Sequence, residues 1–230
     1  MATVPRPKDV QVAVVDWFDQ RFPFTSSVDD ALYQRVPNFA NAFYYCFGGM
    51  VFTLIVFQIL TGIFLSFYYV PDAAGNPAAS WSSVEYIMKS VYMGQLVRGV
   101  HFWGANLLIV MVILHMARVF WTGSYRAPRE LNWMVGVIML ICILAFSLTG
   151  YLLPWDTKSY WASEVTIQII GLAPIVGDLL RTVVQGGPIL GGDTLQRFFT
   201  MHVFILPAVI TILMYVHFRM IRKQGISEPM

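Results

Sequence analysis

A chain of 230 residues has room for one domain, or two small ones. Its residues are 57% hydrophobic and 12% charged, against about 45–50% and about 25% in soluble domains; with a mean hydropathy of +0.62, both a water-soluble globule and a disordered chain are excluded. A net charge of +2 leaves no nucleic-acid footprint, which needs clustered Lys and Arg. Cys46 and Cys142, neither in a CxxC pair, cannot build a disulfide framework. An integral membrane protein is expected.

Residues 1–41 form an arm in which Asp16, Asp19 and Arg21 surround Val14, Val15, Trp17 and Phe18, the pattern of an interfacial amphipathic helix. The arm lacks the continuous apolar core of a cleavable signal peptide. Four apolar stretches follow, and the spacing of charged residues predicts helices over 42–70, 95–121, 131–153 and 197–220. Each meets the length of about 20 residues that crosses the hydrocarbon core, and lipid forces each to be helical because an open strand would leave backbone groups unpaired. Between the third and fourth spans, residues 156–194 contain the uncharged run Val165–Gly177, which is too short to cross and is broken by Gly171 and Pro174. That loop is expected to hold interfacial helices. The predicted fold is a single all-α domain, a membrane four-helix bundle.

Basic residues orient the bundle. The arm, the loop between the second and third spans and the C-terminus carry Arg6, Lys8, Arg21, Arg35, Arg118, Arg126, Arg129, Arg219, Arg222 and Lys223; the other side carries Lys89, Arg98, Lys158, Arg181 and Arg197. This asymmetry puts both termini in the cytoplasm or its equivalent. The first and third spans then run outward, the second and fourth inward.

All four histidines fall on the two inward-running spans: His101 and His115 on the second, His202 and His217 on the fourth. A step of 14 residues rotates a helix about 1400°, about 40° short of four turns, and 15 residues rotate about 60° past four turns. Each helix therefore shows two histidines on one face, one toward each leaflet. His101 matches His202 in depth near the outside, and His115 matches His217 near the inside. Two imidazoles facing each other across one object are the ligation expected of a b-type haem iron, and ionisable groups inside a membrane are functional by default. Zinc would need a third ligand at each depth, and none has the spacing. A lone histidine bonded to a neighbouring carbonyl is the structural alternative.

The other two spans carry Gly48 and Gly62, and Gly136 and Gly150, again 14 residues apart. Glycine lets backbone approach a flat macrocycle closely, although it also serves plain helix packing. Arg98 outside, and Arg126 or Arg129 inside, are candidate partners for haem propionates, with interfacial anchoring as the competing account. Pro207 is expected to kink the fourth helix.

With these residues in view, the chain resembles the cytochrome b family in its short, split b6 form. The resemblance runs from about Asp16 to the C-terminus and rests on FYYCFGG at 43–49, LVRGVHFWGA at 96–105, ILHMARVFWTGSYRAPRELNW at 113–133, TGYLLPWD at 149–156 and HFRMIRKQGIS at 217–227. The 15-residue step from His202 to His217 is that of the split form. The resemblance implies two non-covalent haems b: an outer, lower-potential one on His101 and His202, and an inner, higher-potential one on His115 and His217. It further implies that Cys46 forms one thioether to an extra, covalently held c-type haem at the inner side. Without the resemblance, Cys46 reads as a small buried hydrophobe, as Cys142 does. Two departures, Phe102 where plant-type members have a basic residue and the long loop PDAAGNPAAS after the first span, argue against a chloroplast origin and for a bacterial inner membrane.

The implied activity is transmembrane electron transfer in a proton-translocating, quinol-oxidising cytochrome bc-type complex, as a subunit rather than as an enzyme on its own. The family's PEWY-type glutamate is missing, so the resemblance implies a three-helix partner like subunit IV, a Rieske iron–sulfur protein and a c-type cytochrome, in a homodimeric complex with lipid and quinone. Tyr151, Pro154 and Trp155 are candidates for one wall of the quinol pocket. Two rival readings stay open: a stand-alone di-haem membrane anchor of a dehydrogenase, and a haem-free transporter or assembly protein using the histidines as a polar pathway.

Overall fold

The computed structural model describes residues 43–227; the expected interfacial helix of the arm lies outside the described residues. These are helical, without strands. A 3-10 turn at Phe43–Cys46 leads into α1 (Phe47–Ser66), followed by α2 (Ala79–Lys89), α3 (Gly94–Trp121), α4 (Glu130–Leu152), α5 (Thr157–Gly171), α6 (Gly177–Gln185) and α7 (Gly192–Thr200). A π-helical turn at Met201–Ile205 joins α7 to α8 (Leu206–Gln224). Among the described residues four helices are long and apolar enough to cross a membrane: Phe43–Ser66, Gly94–Trp121, Glu130–Leu152 and the continuous run Gly192–Gln224.

Local chemistry sets several ends. Pro154 follows α4 closely and cannot continue a helix. Asp156 caps α5, its Oδ1 accepting from the Ser159 amide at 2.7 Å, which satisfies one of the orphan donors of the first turn. Gly186, with φ +79°, closes α6 in the left-handed region that glycine enters without strain. The break at Gly171 and Pro174 separates α5 from α6.

Three details differ from the sequence expectation. The first membrane helix ends at Ser66 rather than near residue 70, because the aromatic run Phe67–Tyr69 leaves the helix and the Tyr69 hydroxyl donates to the Leu153 carbonyl at 2.6 Å. Hydropathy alone cannot separate an apolar loop from the last turn of an apolar helix. α2 was not anticipated; Ser80 and Ser83 lie on its buried face, and serines at core positions carry no hydrophobic period. The fourth spanning run begins at Gly192, because Asp193 and Arg197 occupy an amphipathic first segment that a charge boundary places outside.

α1 packs along α3, and α4 along α8. The main core joins Val51 and Ile55 of α1, Leu108, Met111 and Val112 of α3, Met139 and Ile143 of α4, and Ile210 of α8. Most other apolar side chains of the four helices, Leu60, Trp103, Ile141 and Ile212 among them, point outward to where lipid would solvate them. A second cluster, Leu152, Ile167 and Phe198, ties α5 and α7 to the C-terminal end of α4.

Candidate functional site

The core is positioned by the same spacing as the histidines. Ile55 stands seven residues from both Gly48 and Gly62, Leu108 seven from both His101 and His115, and Ile143 seven from both Gly136 and Gly150. With Ile210, between His202 and His217, these side chains are all buried in one cluster. A buried apolar layer therefore separates the His101 and His202 site from the His115 and His217 site, called outer and inner after the orientation expected from the basic residues.

At the outer site the ring centroids of His101 and His202 lie 6.2 Å apart, the planes inclined by 72°. Two imidazole nitrogens sharing one metal ion at about 2 Å each hold their ring centroids at roughly this separation. Phe146 packs edge-on against His202 at 5.6 Å between centroids. Two threonines complete the site: Thr61 Oγ1 lies 2.9 Å from His101 Nδ1 and Thr149 Oγ1 lies 3.0 Å from His202 Nδ1. Gln58 donates to the His101 carbonyl at 3.0 Å, locking α1 to α3 at this depth.

At the inner site His115 and His217 line one cavity together with Gly48, Gly136 and the guanidinium-bearing Arg118 and Arg129. Neither Nδ1 makes a hydrogen bond of good geometry, although the Asn132 carbonyl faces His217. Arg118 stacks over the Tyr45 ring at 4.7 Å. The C-terminal segment closes the cavity: Arg129 donates to the Gln224 carbonyl at 3.1 Å, Gln224 donates to the Pro128 carbonyl at 2.9 Å, and Ser124 bonds Ser227.

Each predicted glycine lies against a histidine ring of a neighbouring helix. A Cβ on Gly150 would stand 2.6 Å from His202 Cε1, on Gly48 3.1 Å from His115 Cε1, on Gly62 3.3 Å from His101 Cε1, and on Gly136 3.9 Å from His217 Cε1. In this structure each glycine leaves room beside an imidazole of a neighbouring helix.

The 15-residue step on the fourth helix also has its explanation. His202 lies within the π-helical turn, where hydrogen bonds close over one residue more than in an α-helix. That turn takes up one residue without advancing the face, so 15 residues reach about the angle that 14 reach on α3, where each residue turns about 100°. Pro207, which has no N–H to offer the preceding turn, stands in the first turn of α8, one residue after Leu206.

The remaining candidates are scattered. Arg98 contacts Met88 Sδ at 3.4 Å, Arg126 is exposed, and Arg129 lines the inner cavity. Tyr151 is exposed, while Trp155, with φ +54°, meets the Tyr160 ring edge-on at 5.7 Å; Pro154 lies between them in sequence and is half-buried. Cys46 is exposed at the end of the turn preceding α1. Sequence reasoning missed Thr61, Thr149 and Arg118. The threonines had a signal, since each directly precedes a predicted glycine in a Thr-Gly pair; Arg118 was counted only as an orienting charge.

The residues fit a bis-imidazole iron. Among the described residues no three of His, Cys, Asp and Glu gather as a metal site, so each pair of imidazoles would leave the other coordination positions to a macrocycle. Glycines that admit the rings and unbonded Nδ1 atoms inside a cavity agree with that donor set.

Comparison with known proteins gives the same picture. The family model described as cytochrome b/b6/petB matches residues 33–225. The chain is 48% identical over 224 residues to the menaquinol:cytochrome c reductase cytochrome b subunit of Bacillus subtilis (strain 168), covering 94% of this chain and 98% of that protein. It is 42% identical over 217 residues to the cytochrome b6 of Auxenochlorella protothecoides, covering 94% of this chain and 99% of that one. Among solved structures it resembles a chain of a hyperthermophilic respiratory complex III, with TM-score 0.80 and 34% identity, over 94% of this chain and 56% of the other. The chain thus spans little more than half of that structure's subunit.

Proposed function

The chain belongs to the cytochrome b/b6 family, and on that footing we propose that it is the electron-transferring cytochrome b core of a quinol-oxidising, proton-translocating bc-type complex. The observation that carries the reading is the pair of histidine sites separated by the Ile55, Leu108, Ile143 and Ile210 layer. Bound haem b supplies reversible one-electron chemistry at each site. His101 and His202 would hold the outer group by its two faces, His115 and His217 the inner one, and the glycines behind them keep the rings close to their own helices. The apolar layer keeps water out of the space between the sites. An electron moved inward through that layer works against the membrane potential, about 2.3 kcal/mol per charge per 100 mV.

Arg118 and Arg129 face the inner cavity and are the candidates to meet anionic haem propionates there; Arg98 and Arg126 keep that role only as exposed or peripheral groups. Exposed Tyr151 and half-buried Pro154 and Trp155, at the end of α4, are the candidates for one wall of a quinol pocket that another subunit completes. That calls for a three-helix, subunit IV-like protein, with a Rieske iron–sulfur protein and a c-type cytochrome as electron acceptors, in a dimeric assembly. The name of the Bacillus subtilis relative supports menaquinol as the reductant. The exposed thiol of Cys46, two residues before the glycine that backs His115, supports a thioether to a covalent haem at the inner side. The balance of basic residues supports cytoplasmic termini in a bacterial inner membrane.

The test is the haem content of the purified chain by pyridine haemochrome, before and after acid–acetone extraction. Two extractable haems b per chain are expected, with one further haem retained on the polypeptide. Two extractable and none retained would remove Cys46 from the site, and no haem at all would remove the entire reading.

A further inference from the structure

Thr61 and Thr149 occupy equivalent places on α1 and α4, each one residue before a glycine that backs an outer histidine. Thr61 Oγ1 donates to the Phe57 carbonyl at 2.6 Å, with a longer contact to the Gln58 carbonyl at 3.2 Å. Thr149 Oγ1 donates to the Ala145 carbonyl at 2.7 Å, with a longer contact to the Phe146 carbonyl at 3.2 Å. A threonine hydroxyl has one proton. With that proton committed to the carbonyls, the oxygen can only accept at its remaining contact, His101 Nδ1 at 2.9 Å or His202 Nδ1 at 3.0 Å. Both outer imidazoles therefore carry their proton on Nδ1, which leaves the Nε2 lone pair free on each.

We propose that Thr61 and Thr149 are positioning residues that fix the tautomer of the two outer histidines and strengthen Nε2 as a donor to iron. The inference rests on His101 and His202 being haem ligands. An acceptor on the far nitrogen of a ligating imidazole raises its basicity, and a more basic ligand favours the oxidised iron. The inner site lacks these hydroxyls: Phe47 and Val135 stand where the outer site has threonines, the Nδ1 atoms of His115 and His217 have no hydroxyl partner, and His217 is faced by the Asn132 carbonyl instead. The bundle thus repeats one histidine–glycine frame at two depths and places threonine hydroxyls only at the outer copy.

The experiment is a redox titration of the full membrane complex, following the two haem b absorption bands, with electron paramagnetic resonance of the oxidised low-spin signals. Thr61→Val and Thr149→Val, singly and together, are compared with Thr61→Ser and Thr149→Ser. The valine variants should raise the midpoint potential of the outer haem, most in the double variant, and alter its resonance signal while the inner haem stays unchanged; the serine variants should match the unsubstituted protein. Loss of the outer haem in the valine variants with retention in the serine variants also supports the proposal. An unshifted outer midpoint, equal shifts in both haems, or loss of haem in both sets overturns it. If the unsubstituted protein binds no pair of haems b, the ligand assignment itself has failed instead.

Discussion

A Cβ added to Gly150 would meet His202 Cε1 at 2.6 Å, nearer than real side chains approach. The residue at position 150 therefore decides whether a ring on another helix can occupy its place, and the four glycines form a graded series. Gly150→Ala should cost about 1–3 kcal/mol as an overpacked contact and displace His202, lowering outer haem content. Gly48→Ala and Gly62→Ala, at 3.1 and 3.3 Å, should have smaller effects, and Gly136→Ala, at 3.9 Å, should be tolerated. Haem stoichiometry across the four purified variants measures the order; equal effects would remove the steric explanation.

The π-helical turn makes a prediction about chain length. Deleting Val203, inside the turn, removes the spare residue and should let the segment become regular α-helix with both histidines still on one face. Deleting Thr211, in the regular part of α8, rotates everything beyond it by about 100° and should abolish the inner haem while sparing the outer. Absorption spectra of the two deletions separate these outcomes, and loss of both haems in each would show that the turn absorbs nothing.

Ile143 is 2% exposed at the centre of the apolar layer, whereas Ile141 is 61% exposed on the same helix. Ile143→Ala should cost about 2–5 kcal/mol through the cavity it leaves. Ile141→Ala, which only exchanges surface toward lipid, should be nearly neutral. Thermal unfolding in one detergent, followed through loss of haem absorbance, gives the comparison; similar midpoints for both variants would deny the layer a structural role.

Tyr69 lies beyond the first membrane helix, and burial raises its phenol pKa above the ordinary value. A group held protonated by the fold contributes stability that is present below its unfolded pKa, about 10, and is lost as pH rises above that value. Stability should therefore carry no pH dependence from Tyr69 up to about pH 10 and fall beyond it. Tyr69→Phe should remove part of that alkaline loss and, by deleting the bond to the Leu153 carbonyl, cost about 0.5–1.5 kcal/mol near neutrality. Unfolding midpoints from pH 7 to 11 compare the two proteins; parallel curves would exclude Tyr69 from the alkaline response.

By itself the sequence determined the class of molecule, the four membrane helices, and the pairing of His101 with His202 and of His115 with His217. These follow from quantities local to the chain: the length of an uncharged run, which lipid enforces, and the angle per residue of a helix. It also marked Gly48, Gly62, Gly136 and Gly150 through a repeated 14-residue step, without saying what they face. What only the tertiary structure decided depends on which groups of different helices meet. That Gly150 makes room for His202, that the Thr61 and Thr149 hydroxyls meet Nδ1 of His101 and His202, and that Arg118 lines the inner cavity are relations between helices, set by how ridges pack at one depth. The extra residue between His202 and His217 belongs to the same category, because a one-residue surplus is visible in the chain but its absorption in a π-helical turn depends on where the rings must converge.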